Sequence, residues 1–83
     1  MAVKVNVRLY AVARDWMGIP SLELAVSEGT TTEAVWEELE RRQPRFREWR
    51  EQFRLAVNDE YIDKPVLLHS GDTVAVIPPV SGG

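Results

Sequence analysis

Hydrophobic and polar positions alternate without a break over residues 3–10. Val3, Val5, Val7 and Leu9 fall on one side of an extended chain, and Lys4, Asn6, Arg8 and Tyr10 fall on the other. This alternation predicts a strand with one buried face. The stretch ARDWMGIP follows, with room for a short helical turn at most before Gly18 and Pro20 interrupt it. A second alternating run places Leu22, Leu24 and Val26 inward and Glu23 and Ala25 outward. Its nearness to the first run predicts an antiparallel pair with a long connection.

Over SEGTTTEAVWEELERRQP the period changes. Thr32, Val35, Trp36 and Leu39 recur at helical spacing and form one apolar stripe. Thr30 and Glu33 have the spacing of a capping box, and Glu37–Arg41 and Glu38–Arg42 are spaced to pair on the outer face. Pro44 ends the helix. RFREWREQF reads as a further helical turn or a loop carrying Phe46, Trp49 and Phe53 inward. RLAVN is a short strand, NDEY a turn, and YIDKPVLLHSGD one or two short extended pieces closed by a Gly71-Asp72 turn. In the last strand, TVAVIPP, Val74 and Val76 point inward and Ala75 and Ile77 outward. The order of strands around one main helix predicts an α+β domain over residues 1–78, with 79–83 as a tail. The first and last strands are the most apolar and regular, which suits parallel neighbours at the centre of a mixed sheet.

Composition narrows the function. The chain of 83 residues has no cysteine, which removes disulfides, thiolate metal sites and thiol chemistry. One histidine, His69, has no second histidine to join it as a metal ligand. A net charge of −3 argues against nucleic acid as the main partner. No apolar run approaches the roughly 20 residues that span a bilayer. The N-terminus alternates and lacks the apolar core of a signal peptide, so the expected compartment is the cytoplasm.

Catalytic side chains are scarce. His69 and Ser70 are adjacent and point apart on an extended chain, and His69 reads as an exposed loop residue. GTTTE lacks the second glycine and the lysine of a phosphate loop. Glu37, Glu38 and Glu40 lie on a solvated helix face, and Trp16, Trp36 and Trp49 read as core or half-core aromatics. What remains is the main-chain carboxylate of Gly83. A carboxylate is a poor electrophile, but joined to AMP as a mixed anhydride its carbonyl can be attacked, and a sulfur nucleophile would leave a thiocarboxylate. Gly82 and Gly83 are slim enough to enter a pocket, and Pro78 and Pro79 fix φ at the root of the tail.

The terminal PPVSGG resembles the end of the MoaD family, the small sulfur-carrier subunits of molybdopterin synthase. The likeness extends over VRLYAVARDWMG, EGTTTEAVWEELERRQP, LAVNDEYID and SGDTVAVIPPVSGG. It implies the β-grasp fold of ubiquitin. It also implies that Gly83 is adenylated by a MoeB-like activating enzyme that uses ATP, and is then converted to a thiocarboxylate. The terminus would enter the large subunit, MoaE-like, and give its sulfur to cyclic pyranopterin monophosphate. No cofactor or metal would be held permanently, and two large and two small subunits would form a heterotetramer. The carrier would not be an enzyme on its own. Tyr10, Ala56 and Ile77, rimmed by Arg8 and Arg54, are the expected docking face, with Pro79, Val80 and Ser81 joining them along the tail. The same chemistry serves ThiS-type carriers for thiamine thiazole, carriers for transfer RNA thiolation and small protein modifiers. A β-grasp interaction module with no chemistry at its end is a further alternative.

Overall fold

The strict alternation of the first run is realised as β1, Ala2–Leu9, whose even positions are exposed and odd positions buried. The computed structural model describes residues 2–78. After β1 come α1 (Ala11–Met17), β2 (Ser21–Ser27), α2 (Glu33–Arg42) and α3 (Arg45–Trp49). A single 3-10 turn, Arg50–Gln52, leads to β3 (Arg54–Val57), β4 (Glu60–Ile62) and β5 (Thr73–Ile77). The five strands lie in the order β2-β1-β5-β3-β4. β1 and β5 are parallel neighbours, with Asn6 opposite Thr73 and Leu9 opposite Val76, and the other pairings are antiparallel. This is the mixed β-grasp sheet, with the last strand at its centre.

One face of the sheet is apolar because alternation aligns Val3, Val5, Val7 and Leu9 with Val74, Val76 and Leu55. The helices cover that face. From α2 come Val35, Trp36 and Leu39, as the helical stripe predicts. Phe46 and Phe53 complete the layer, their rings 5.6 Å apart, and Trp16 meets Phe46 edge-on at 5.2 Å. No helix among the described residues is long and apolar enough to cross a membrane.

Four local expectations differ from what forms. The stretch after β1 makes a seven-residue helix, more than one turn. Ala13 is fully buried, Trp16 and Met17 pack on the core, and Gly18 at φ 74° closes the helix by donating to the Arg14 carbonyl. Tertiary burial here sustains a helix too short to persist alone. At the start of α2 no capping box forms: Thr32 precedes the helix without a side-chain cap. Thr30 and Thr32 are engaged elsewhere. The Thr30 carbonyl accepts from Leu68 N–H at 2.9 Å, and buried Thr32 Oγ1 accepts from Val66 N–H at 3.2 Å. Glu33, freed from capping, meets Arg50.

On the outer face of α2, Glu38 takes both Arg41 and Arg42, and no Glu37–Arg41 pair is found among the described residues. The two guanidiniums, Arg41 foremost, hold the Glu38 carboxyl below its ordinary value. The fourth difference is Trp49, which is 46% exposed, because Phe46 and Phe53 already fill the space beneath α3.

Candidate functional site

The side of the sheet away from the helices presents a row that the register fixes. Arg8 lies opposite Ala75, Ala75 opposite Ala56, and Ala56 opposite Tyr61, so one line crosses four strands. The neighbouring row sets Arg54 against Ile77. Tyr10 follows Leu9 as Ile77 follows Val76, and it is exposed. Tyr10, Ala56 and Ile77 therefore share the outer face with Arg8 and Arg54. Ala56 is 5% exposed, which makes it the floor of this face and not a contact point. Ala56 and Ala75 set the smallest side chains of this face between the longer residues.

Tyr61 is the member of this face that the sequence reading passed over. The residue is 56% exposed, and its ring carries the Arg54 guanidinium at 4.3 Å. Such stacking orients the arginine and keeps both groups at the surface. The signal for Tyr61 lies in the turn. Asn58 and Asp59 have φ of 50° and 72°, the left-handed pair that a two-residue hairpin turn demands. With Val57 opposite Glu60 across that turn, Tyr61 must face Ala56.

The start of β5 is held by a second constellation. The Asp72 carboxylate accepts from Asn58 Nδ2 at 2.9 Å and from His69 N–H at 2.8 Å. These bonds, that from Asn58 foremost, hold its carboxyl below the ordinary range. Asn58 Oδ1 in turn accepts from Thr73 N–H at 3.0 Å. Gly71, at φ 89°, takes a conformation that side chains rarely adopt, and its N–H donates to the Lys4 carbonyl at 2.8 Å. Asn58, Asp72 and Lys4 thus lock β5 to β3 and β1 at its first residue.

The structure does not assemble His69 and Ser70 into a catalytic pair. Ser70 Oγ accepts from Lys4 N–H at 3.3 Å, while the exposed imidazole faces Asp72 at 3.8 Å. Pro78 is half-buried and is the last described residue. Pro79, Val80, Ser81, Gly82 and Gly83, and with them the expected tail, lie outside the described residues.

Comparison with known proteins places this geometry among relatives. The profile of the ThiS family matches residues 7–83. The molybdopterin synthase sulfur carrier subunit of Arabidopsis thaliana is 38% identical over 82 residues, covering 99% of this chain and 85% of the relative. The human subunit of the same name is 35% identical, covering 96% of this chain and 94% of the relative. Among solved structures, a putative molybdopterin converting factor subunit 1 from Pyrococcus furiosus superposes with a TM-score of 0.83 at 31% identity, covering 94% of this chain and 99% of that one. A complex of subunits 1 and 2 of the molybdopterin-converting factor from Helicobacter pylori includes a chain of the same fold. Its TM-score is 0.67 at 24% identity, with 98% of this chain and 100% of that one covered.

Proposed function

From the premise that the chain belongs to the ThiS family, we propose that it is the sulfur carrier subunit of a molybdopterin synthase. One observation carries this reading: similarity to named sulfur carrier subunits over nearly the whole chain, with the family match running through Gly83. In the proposed chemistry a Gly83 carboxylate oxygen attacks the α-phosphorus of ATP and pyrophosphate leaves, giving an acyl-adenylate. A sulfur nucleophile then attacks the activated carbonyl, AMP departs, and a thiocarboxylate remains. The activating enzyme would be of the MoeB type and the acceptor cyclic pyranopterin monophosphate, bound to a MoaE-like large subunit. The chain's own part is to present the terminus, with the acid–base groups supplied by the partner.

The outer face supports this division of labour. Tyr10, Tyr61 and Ile77 surround a small-residue floor, and Arg8 and Arg54 border it, an anatomy of apolar centre and charged rim. It adjoins the end of β5, so a partner that docks there holds the following residues in register. Each carrier brings one sulfur and the dithiolene needs two, which fits an assembly of two large and two small subunits.

The test is a reconstitution with a MoeB-type enzyme, ATP and a sulfur source, followed by intact-mass measurement and addition of the large subunit with the pterin. The expected result is a mass gain equal to replacing one oxygen by sulfur, then loss of that sulfur as dithiolene appears. No mass gain would overturn the carrier reading. A mass gain with no transfer to the pterin would redirect the carrier to a thiazole or transfer RNA pathway.

A further inference from the structure

Six of the chain's ten basic residues fall between positions 41 and 54, against two glutamates in that stretch, although the whole protein is acidic. Most are neutralised in place. Arg41 and Arg42 share Glu38, Arg47 lies 3.8 Å from Glu40, and Arg50 bridges Glu33 and Glu40. Arg45 has no carboxylate within ion-pair distance among the described residues; its guanidinium sits 5.1 Å from the centre of the Trp16 ring. Trp49, one turn along α3 from Arg45, places its ring 6.5 Å from Trp16. Val12 lies one turn before Trp16 on α1 and is also exposed. The helix layer therefore carries an apolar strip, Trp16 and Trp49 side by side, with Val12 on the same face of α1 by its spacing and an unneutralised cation stacked on Trp16.

The core does not require Trp49 there, since Phe46 and Phe53 occupy the interior and Trp49 is left nearly half in water; Trp16 is half-buried, with one side on Phe46 and the other toward Arg45. Tryptophan and arginine are the residues that most often anchor protein interfaces. We propose that this strip is a docking site for an acidic, leucine-bearing segment of a partner protein. Apolar side chains of that segment would cover Trp16 and Trp49, and its carboxylates would pair with Arg45. Charge selects the partner. Arg45, stacked on Trp16 and without a carboxylate of its own among the described residues, is a single charge set in an apolar strip, which matches a carboxylate flanked by apolar side chains better than a continuous phosphodiester backbone. Alternation sets the sidedness: Trp16 packs with the core on the helix side, and Ala75 faces the other way. The strip is thus accessible while the outer face is covered, so a second protein can hold this chain without competing for the first docking surface.

The test uses the full chain, isotopically labelled, with the indole N–H signals of Trp16 and Trp49 and the amide of Ala75 as reporters in NMR titrations. The probes are a capped peptide of leucines spaced among glutamates, its glutamine and lysine counterparts, and a single-stranded oligouridine. The glutamate peptide is expected to shift both indoles saturably and leave Ala75 unmoved. Arg45→Glu should weaken that binding at least about tenfold and turn the preference toward the lysine peptide. Equal response of wild type to the glutamine or lysine peptide would overturn the proposal. So would oligouridine moving the indoles where the glutamate peptide does not, or indole shifts that depend on protein concentration with no peptide present. Trp49→Ala, at an exposed position, supplies a second variant that should lose the response while its core signals stay in place.

Discussion

Ile77 is where docking and folding can be separated at the level of one side chain. Its cross-strand neighbour is Arg54, so an arginine introduced there would set two like charges against each other and damage the sheet itself. Ile77→Glu instead places a carboxylate opposite that arginine while destroying the apolar centre. The fold should persist, and capture of the large subunit, followed by calorimetry, should weaken at least about tenfold. Unchanged affinity would move the docking face elsewhere. Asp72 gives a prediction in pH. Because Asn58 and the His69 N–H lower its folded value below the ordinary 3.8, the charged form is favoured by folding. Its stabilisation is therefore complete above that ordinary value and is lost as pH falls through the lowered one. Asp72→Ala should cost about 1 kcal/mol at neutral pH, and denaturant titrations should bring the two proteins together in acid. This bond network is not visible in the sequence, where Asn58 and Asp72 are simply two turn residues separated by a long loop.

At the scale of elements, α3 tests how a five-residue helix divides its work between inside and outside. Phe46 is fully buried among Trp16, Trp36 and Phe53, so Phe46→Ala should destabilise by about 3–5 kcal/mol and could leave little folded protein. Trp49→Ala should cost under about 1 kcal/mol in the same thermal or denaturant measurement. A large loss at Trp49 would mean that the indole is part of the core after all. The alternating strands were legible because a single buried face imposes a single pattern, and residues 3–9 obey it without exception. Trp49 was not legible in the same way: helical spacing marks which residues share a face, but not which of three aromatics runs out of space. The three consecutive threonines before α2 posed a similar ambiguity. Each can cap, but the backbone of residues 66 and 68, far away in the chain, takes up the Thr32 hydroxyl and the Thr30 carbonyl instead. Tyr61 could have been read, had the left-handed pair Asn58-Asp59 been used to count across the hairpin.

For the molecule as a whole, the prediction concerns what the globule does without its end. The hydrophobic core is built from residues between Val3 and Val76, so removal of Gly83 should leave the melting temperature unchanged while the sulfur-dependent mass gain disappears. Persistence of that mass gain would place the acceptor atom elsewhere. The order of strands carries a further consequence, for biosynthesis. β5 comes last of the strands along the chain yet lies in the middle of the sheet, joining the β1–β2 pair to the β3–β4 pair. A nascent chain that stopped short of it would hold two separate hairpins with no ladder between them, and closing so distant a pairing is the slow part of forming such a sheet. Until β5 inserts, Ala75 does not bridge Arg8 to Ala56, and Ile77 does not stand beside Arg54. On the proposed reading, the docking surface is thus complete only when β5 is in place, so an abortive product would offer a large subunit nothing to recognise.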